Sequence, residues 1–307
     1  MRKIGKSLKG VITALVTPFK RPFEGREGPV DFEAYKWLIE RQIEGGVAGI
    51  VPCGTTGESP TLSHEEHGKV IQMAAKYVGG RVPVIAGTGS NYTAEAEVLT
   101  LVAKNVGADA ALVVEPYYNK PTEAGLFDYY RRVAKVGLPV ILYTIPGRCG
   151  GKGATLKVIL QLMREGSIAG IKWAREDWEM LRAIKSEAPD NFSILSGDDN
   201  QTVRIIKMGG HGVISVLSNL RPRAMAAMVY EALSGNTKEA ELMEAQLASL
   251  MKAMFIETNP IPVKEALALC YPSVFKAIFR SPMVPMADEN RMALKKVLAD
   301  YGLLGGL

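Results

Sequence analysis

Three cysteines, three histidines and a 7% share of aromatics leave this 307-residue chain poor in the side chains of disulfide, metal and stacking chemistry. Cys53, Cys149 and Cys270 are odd in number and far apart, so no disulfide framework is expected, and a reduced, cytoplasmic protein is the simplest reading. His64 and His67 stand three apart on a helix, His211 is distant, and the HExxH spacing is missing. No metal and no cofactor is therefore expected, and His64 and His67 read as exposed helix-surface residues. No apolar run approaches the ~20 residues of a membrane span. The stretch 11–16, after a basic start, is too short for a signal-peptide core and stops at Thr17-Pro18. Charge of one sign is not concentrated either: the net +5 comes from dispersed Lys and Arg, with no basic stripe among aromatics, so nucleic acid is not an expected partner. A Gly-rich motif ending in Lys-Ser/Thr is absent, which removes nucleotide hydrolysis.

What is present is a rhythm. Short apolar runs at 11–16, 49–52, 83–86, 110–114, 139–143, 168–171, 192–195 and 212–216 do not alternate, the pattern of strands covered on both faces. Helical segments separate them. Residues 31–44 carry Phe32, Tyr35, Leu38, Ile39 and Ile43 on one stripe and stop at Gly45-Gly46. Residues 63–77 open with a capping box, Ser63 and Glu66, and end at Gly79-Gly80. Residues 93–106 are expected to be capped by Thr93 and ended by Gly107.

Eight such units predict an α/β fold, a (β/α)8 TIM barrel with a C-terminal helical appendage. A doubly wound sheet competes, but its Gly-rich phosphate turn is missing after the first strand. Beyond Asn219 the chain reads as almost wholly helical. The division expected is 1–235 for the barrel and 236–307 for the helical region. Residues 20–30 form a polar, Gly/Pro-rich loop expected to be mobile.

In a barrel, chemistry collects at the carboxyl ends of the strands. There the sequence places Thr55, Thr56 and Glu58; Thr88, Ser90 and Asn91; Tyr117 and Tyr118; Tyr143 and Arg148; Lys172; Gly197, Asp198 and Asp199; and Ser215 and Ser218. Lys172 closes the run Ile168-Ala169-Gly170-Ile171-Lys172. An amine in that position is poorly solvated, which lowers its pKa and frees a lone pair to attack a carbonyl. Singly, each residue has a plainer reading: a strand-end lysine reaching solvent, a core tyrosine, a turn-stabilising threonine, a surface arginine. Asp198-Asp199 could hold Mg²⁺ or cap a helix start. Together they form a polar ring around one amine, suited to imine chemistry on a small oxo-acid. A phenol such as Tyr143, polarised by the Thr55 hydroxyl, could move protons. The Thr56 turn could hold a carboxylate through backbone N–H, and Arg148 could grip a second one bidentately.

With Thr-Pro-Phe at 17–19, Gly-Thr-Thr-Gly-Glu-Ser at 54–59, Pro-Tyr-Tyr at 116–118, Ile-Lys at 171–172, Ser-Gly-Asp-Asp at 196–199, Gly-Val-Ile-Ser at 212–215 and Asn-Pro-Ile-Pro-Val-Lys at 259–264, nearly the whole chain resembles the dihydrodipicolinate synthase and N-acetylneuraminate lyase family of pyruvate-dependent class I aldolases. Thr55 within Gly-Thr-Thr-Gly-Glu, where the lyases carry Ser, and Pro-Gly-Arg at 146–148 point to the synthase branch. The alternative is a sister aldolase such as N-acetylneuraminate lyase.

The resemblance implies that pyruvate and L-aspartate 4-semialdehyde condense to 4-hydroxy-tetrahydrodipicolinate, in diaminopimelate and lysine biosynthesis. It implies Lys172 as the Schiff-base residue and Tyr143, Thr55 and Tyr118 as a proton relay, with Tyr118 supplied by a neighbouring subunit of a homotetramer, a dimer of dimers. Thr56, Arg148, Gly197, Asn259 and the main chain of Ile214 would bind substrate. Ser59, His64, His67, Asn91, Glu95 and Tyr117 match positions of a feedback L-lysine site. Two positions depart from the family pattern: Thr144 stands where Asn is common, and Trp173 where Glu is common, the latter expected to reshape the barrel interior.

Overall fold

The computed structural model describes residues 7–304 except 23, 25, 26 and 152. Eight strands, β1 (Gly10–Ala14), β2 (Gly49–Val51), β3 (Ile85–Gly87), β4 (Ala110–Val114), β5 (Val140–Thr144), β6 (Gly170–Trp173), β7 (Ser193–Ser196) and β8 (Gly212–Ser215), alternate with α1 (Phe32–Glu44), α2 (His64–Val78), α3 (Thr93–Asn105), α4 (Glu123–Lys135), α5 (Leu156–Arg164), α6 (Trp178–Glu187), α7 (Thr202–Lys207) and α8 (Pro222–Leu233). Then follow α9 (Thr237–Ala253), α10 (Ile261–Cys270) and α11 (Asp288–Asp300). All strand pairs are parallel, in the order β2-β1-β8-β7-β6-β5-β4-β3. A parallel bridge between Ile50 and Val84 closes the ring. The expected (β/α)8 barrel is what forms.

The strands alternate between two apolar layers. Ile12, Val51, Ile85, Leu112, Ile141, Leu195 and Ile214 point inward and fill the barrel. The other face packs against the helices, with Val11, Val113, Leu142, Ile171 and Ile194 among its members. Burial on both faces is why the strands carry no polar alternation. Trp173 belongs to this outer layer and is fully buried. The expectation that it reshapes the barrel interior is therefore corrected: strand alternation turns Lys172 inward and Trp173 toward the helices.

Helix ends follow local chemistry. Asp31 caps α1 by accepting from Ala34 N–H. The Ser63 and Glu66 capping box forms at α2, which ends on Gly79 at φ +57°. Thr93 is not a cap: it is the first residue of α3, whose N-cap is Tyr92 without a side-chain bond.

The expected mobility of residues 20–30 falls in part on 23, 25 and 26, outside the described residues. The base of that loop is tied by an antiparallel bridge from Phe19 to Val30 and by Lys20 N–H to the Pro29 carbonyl. Arg280 grips the Gly28 carbonyl at 2.8 Å and Glu66 at 2.6 Å. The helical C-terminal region thus reaches back onto the barrel mouth. Asn259 donates to Thr56 Oγ1 at 2.9 Å, and Lys264 Nζ lies 2.5 Å from Glu58 Oε1.

Candidate active site

A cavity of about 280 Å³ opens at the carboxyl ends of the strands. Its walls include Thr55, Thr56, Ser59, Tyr117, Tyr143, Arg148, Lys172, Gly197, Asp198 and Asn259. Lys172 is the third residue of β6, one step inside the strand rather than beyond its end. It is 7% exposed. Burial pulls its ammonium pKa from 10.5 down to about 8, against the opposing pull of Asp198 and Asp199 and with help from Arg148. A substantial neutral fraction is then present near neutrality, which a nucleophilic amine needs.

Tyr143 sits directly across the strand pair from Lys172, in register on β5. The ammonium nitrogen lies 4.0 Å from the centre of its ring. Burial, first of all, pushes the phenol pKa up, and a hydrogen bond from the Thr55 side chain favours the phenolate. Tyr143 is therefore a protonated donor at rest, with a hydroxyl neighbour able to relay its proton.

Thr55 and Thr56 stand on the turn after β2, where Cys53 and Glu58 adopt left-handed φ of 55° and 53°. Close approach explains the glycine across from this turn: a Cβ on Gly87 would lie 2.2 Å from the Cys53 carbonyl oxygen. Thr56 is buried, with its hydroxyl held by Asn259. Arg148 ends a 3-10 turn, Pro146–Arg148, on the rim. Its exposed side chain lines the cavity.

Other expected residues lie elsewhere. Ile214 packs in the inner layer beneath the cavity, and Val216 lines it. Tyr118 is 89% exposed, at φ +69°, outside its own chain's cavity. Asp199 is buried and accepts from the Val216 and Leu217 amides at 3.1 and 2.8 Å, capping the turn after β8 rather than its own helix. Among the described residues no group of three or more His, Cys, Asp and Glu side chains is placed to hold a metal ion.

A second polar cluster lies beside the mouth. His64 Nε2 and Glu95 Oε1 are 2.5 Å apart, and Ser90 donates to the other Glu95 oxygen. The Ser90 bond, more than any other contact, lowers the Glu95 pKa. The Asn91 carbonyl accepts from Asn119 at 2.7 Å. His67 is not surface-exposed as expected: it is 5% exposed, and burial lowers its pKa to about 4. The i,i+3 spacing put both histidines near one face, but α2 turns His67 toward the barrel.

Two residues without a role in the sequence reading stand out. Phe255, from the segment after α9, forms part of the wall, and no local pattern marked it. Glu115, directly after β4, is 2% exposed and bonds the Ala154 amide at 2.5 Å. A lone Glu after an apolar run was the only signal for it.

A parallel eight-stranded barrel with a buried, partly neutral lysine against a protonated phenol, and a guanidinium on the rim, has the makings of an enzyme of small oxo-acids that works through an imine. The family model of the dihydrodipicolinate synthetase family matches residues 7–301, and the chain belongs to that family. A relative from Syntrophus aciditrophicus (strain SB), a 4-hydroxy-tetrahydrodipicolinate synthase, is 47% identical over 298 residues, 97% of this chain and 99% of its own. The crystal structure of the chloride-inhibited dihydrodipicolinate synthase of Acinetobacter baumannii complexed with pyruvate superposes with a TM-score of 0.90 at 39% identity, covering 97% of this chain and 100% of that one. The lysine-bound enzyme of Cyanidioschyzon merolae gives 0.90 at 34% identity, over 99% and 100%.

Proposed function

We propose that this chain condenses pyruvate with L-aspartate 4-semialdehyde to 4-hydroxy-tetrahydrodipicolinate, the reaction its relatives are named for. The observation that carries the residue assignment is Lys172 Nζ over the Tyr143 ring at 4.0 Å, inside the cavity that Arg148 rims. The neutral Lys172 amine adds to the pyruvate ketone, and water leaves as the imine forms. Tyr143, with Thr55 at its hydroxyl, supplies and removes the protons of that step. Thr56, steadied by Asn259, holds the pyruvate carboxylate, beside Gly197. The imine loses a proton from its methyl group to become an enamine, which attacks the aldehyde carbon. Arg148 holds the carboxylate of this second substrate. The amine of the bound product then displaces Lys172 and closes the ring.

The exposed Tyr118 completes the relay of a neighbouring subunit within a cytoplasmic homotetramer; its solvent-facing position in the single chain supports this. The Ser59, His64, His67, Asn91, Glu95 and Tyr117 cluster binds L-lysine as an inhibitor. Glu95, held below the usual carboxylate range, would pair with the ligand ammonium. A coupled assay with pyruvate and L-aspartate 4-semialdehyde tests the assignment, and an enzyme active only on sugar acids would refute it. The second reading from sequence, an N-acetylneuraminate lyase, has no observation in its favour.

A further inference from the structure

The segment that leaves β5 and returns to α5 carries Arg148. Its own turn is local: Arg148 N–H donates to the Ile145 carbonyl at 3.0 Å and Gly151 N–H to the Pro146 carbonyl at 2.8 Å. Such a turn keeps its shape but does not fix where it sits. Glu115 supplies the external hold. Its amide donates to the Tyr143 carbonyl at 3.2 Å, so its backbone is tied to the strand bearing the phenol. Its carbonyl accepts from Cys149 Sγ at 3.3 Å, beside Arg148. Its carboxyl accepts from Ala154 N–H at 2.5 Å, where the segment ends. The Ile145 amide and Thr144 hydroxyl face the same carboxyl from the segment's start without closing a hydrogen bond to it.

Ala154 is held from its other side as well, its carbonyl accepting from Arg175 Nη1 at 3.1 Å. Space around the carboxyl is tight. A Cβ on Gly153 would lie 3.2 Å from Glu115 Oε2 and 3.2 Å from Thr144 Oγ1, and φ at Gly153 is +65°. A buried carboxyl is costly unless its acceptors are used. Here one oxygen holds the Ala154 amide, while the other, Oε2, is packed against the Gly153 and Thr144 side of the segment with no hydrogen-bond partner among the described residues; that segment carries the rim guanidinium.

We infer that Glu115 is a positioning residue for the second substrate: its carboxyl holds the far end of the 145–154 segment at Ala154, backed by its carbonyl at Cys149, and thereby sets the Arg148 guanidinium over the cavity. This rests on the proposed role of Arg148 as the clamp for the aldehyde's carboxylate. Pyruvate is engaged by Lys172 on β6 and Thr56 on the turn after β2, neither of which belongs to the segment. Losing the carboxyl therefore weakens one substrate and spares the other.

Glu115→Ala and Glu115→Gln are compared with the parent enzyme by KM for each substrate and by borohydride trapping of pyruvate. Glu115→Ala is expected to raise the KM for the aldehyde roughly tenfold, the scale of a clamp displaced by a fraction of an ångström. The pyruvate KM stays within about twofold and Lys172 still traps pyruvate. Glu115→Gln keeps an acceptor for Ala154 N–H and stays within about threefold of the parent. In an Arg148→Ala background, adding Glu115→Ala changes the aldehyde KM no further, because the two groups act as a unit. An unchanged aldehyde KM in Glu115→Ala, equal rises in both KM values, or additive effects in the double variant would each overturn the inference. If Glu115→Ala does not fold, Glu115→Asp withdraws the carboxyl by one methylene, and the same split at smaller scale is required of it. Absence of trapping in the parent enzyme would instead overturn the imine reading on which the inference rests.

Discussion

At the scale of the residue, one amine is held in a state that water would not allow. Lys172 is depressed from 10.5 to about 8 chiefly by burial. The unfolded chain therefore binds the proton more tightly than the folded one between those values. Stability from this site rises with pH across that window, and below about 8 the fold carries the cost of a buried ammonium. Lys172→Met should accordingly raise the stability to urea at pH 7, on the order of 1–3 kcal/mol, while abolishing activity. The same titration governs rate: pyruvate condensation is expected to rise as pH climbs toward about 8 and to level above it, as neutral amine accumulates. A loss of stability in Lys172→Met, or a rate that falls over pH 6 to 8, would contradict this. The amine and its phenol were legible in sequence because both fall at the ends of apolar runs. Glu115 and the burial of His67 were not, since each depends on which way a helix or loop turns against the barrel.

At the scale of the element, the turn after β2 is braced from a distance of some two hundred residues. Glu58 takes a left-handed backbone and meets Lys264 of α10, both essentially without solvent contact. The Lys264 nitrogen also donates to the Ile278 carbonyl at 2.6 Å and lies 4.5 Å from the Phe19 ring centre. Asn259, just before α10, steadies Thr56 on that same turn. Removing one partner of a buried pair strands the other charge, so Lys264→Met is expected to cost about 3–5 kcal/mol. Adding Glu58→Gln should restore much of that, as chemical unfolding of the single and double variants would show. Equal instability of the two would mean that the pair is not the brace. Strands, caps and the barrel itself could be read from apolar runs, capping boxes and glycine stops. The brace could not, because nothing local in 259–264 says that its lysine turns inward.

At the scale of the whole molecule, a cavity is built by one chain and one tyrosine is left outside it. Tyr118 lies 89% exposed beside Tyr117, which lines the mouth. If Tyr118 serves a neighbouring subunit, Tyr118→Phe and Lys172→Ala chains, each impaired alone, should regain activity when mixed and reassembled. Mixing without recovery would place the relay within one chain. Borohydride reduction in the presence of pyruvate, followed by peptide mapping, tests the assignment of chemistry most directly. A pyruvate-derived mass on the peptide bearing Lys172, absent without pyruvate or reductant, is the predicted result; no adduct, or one on a different lysine, would contradict it.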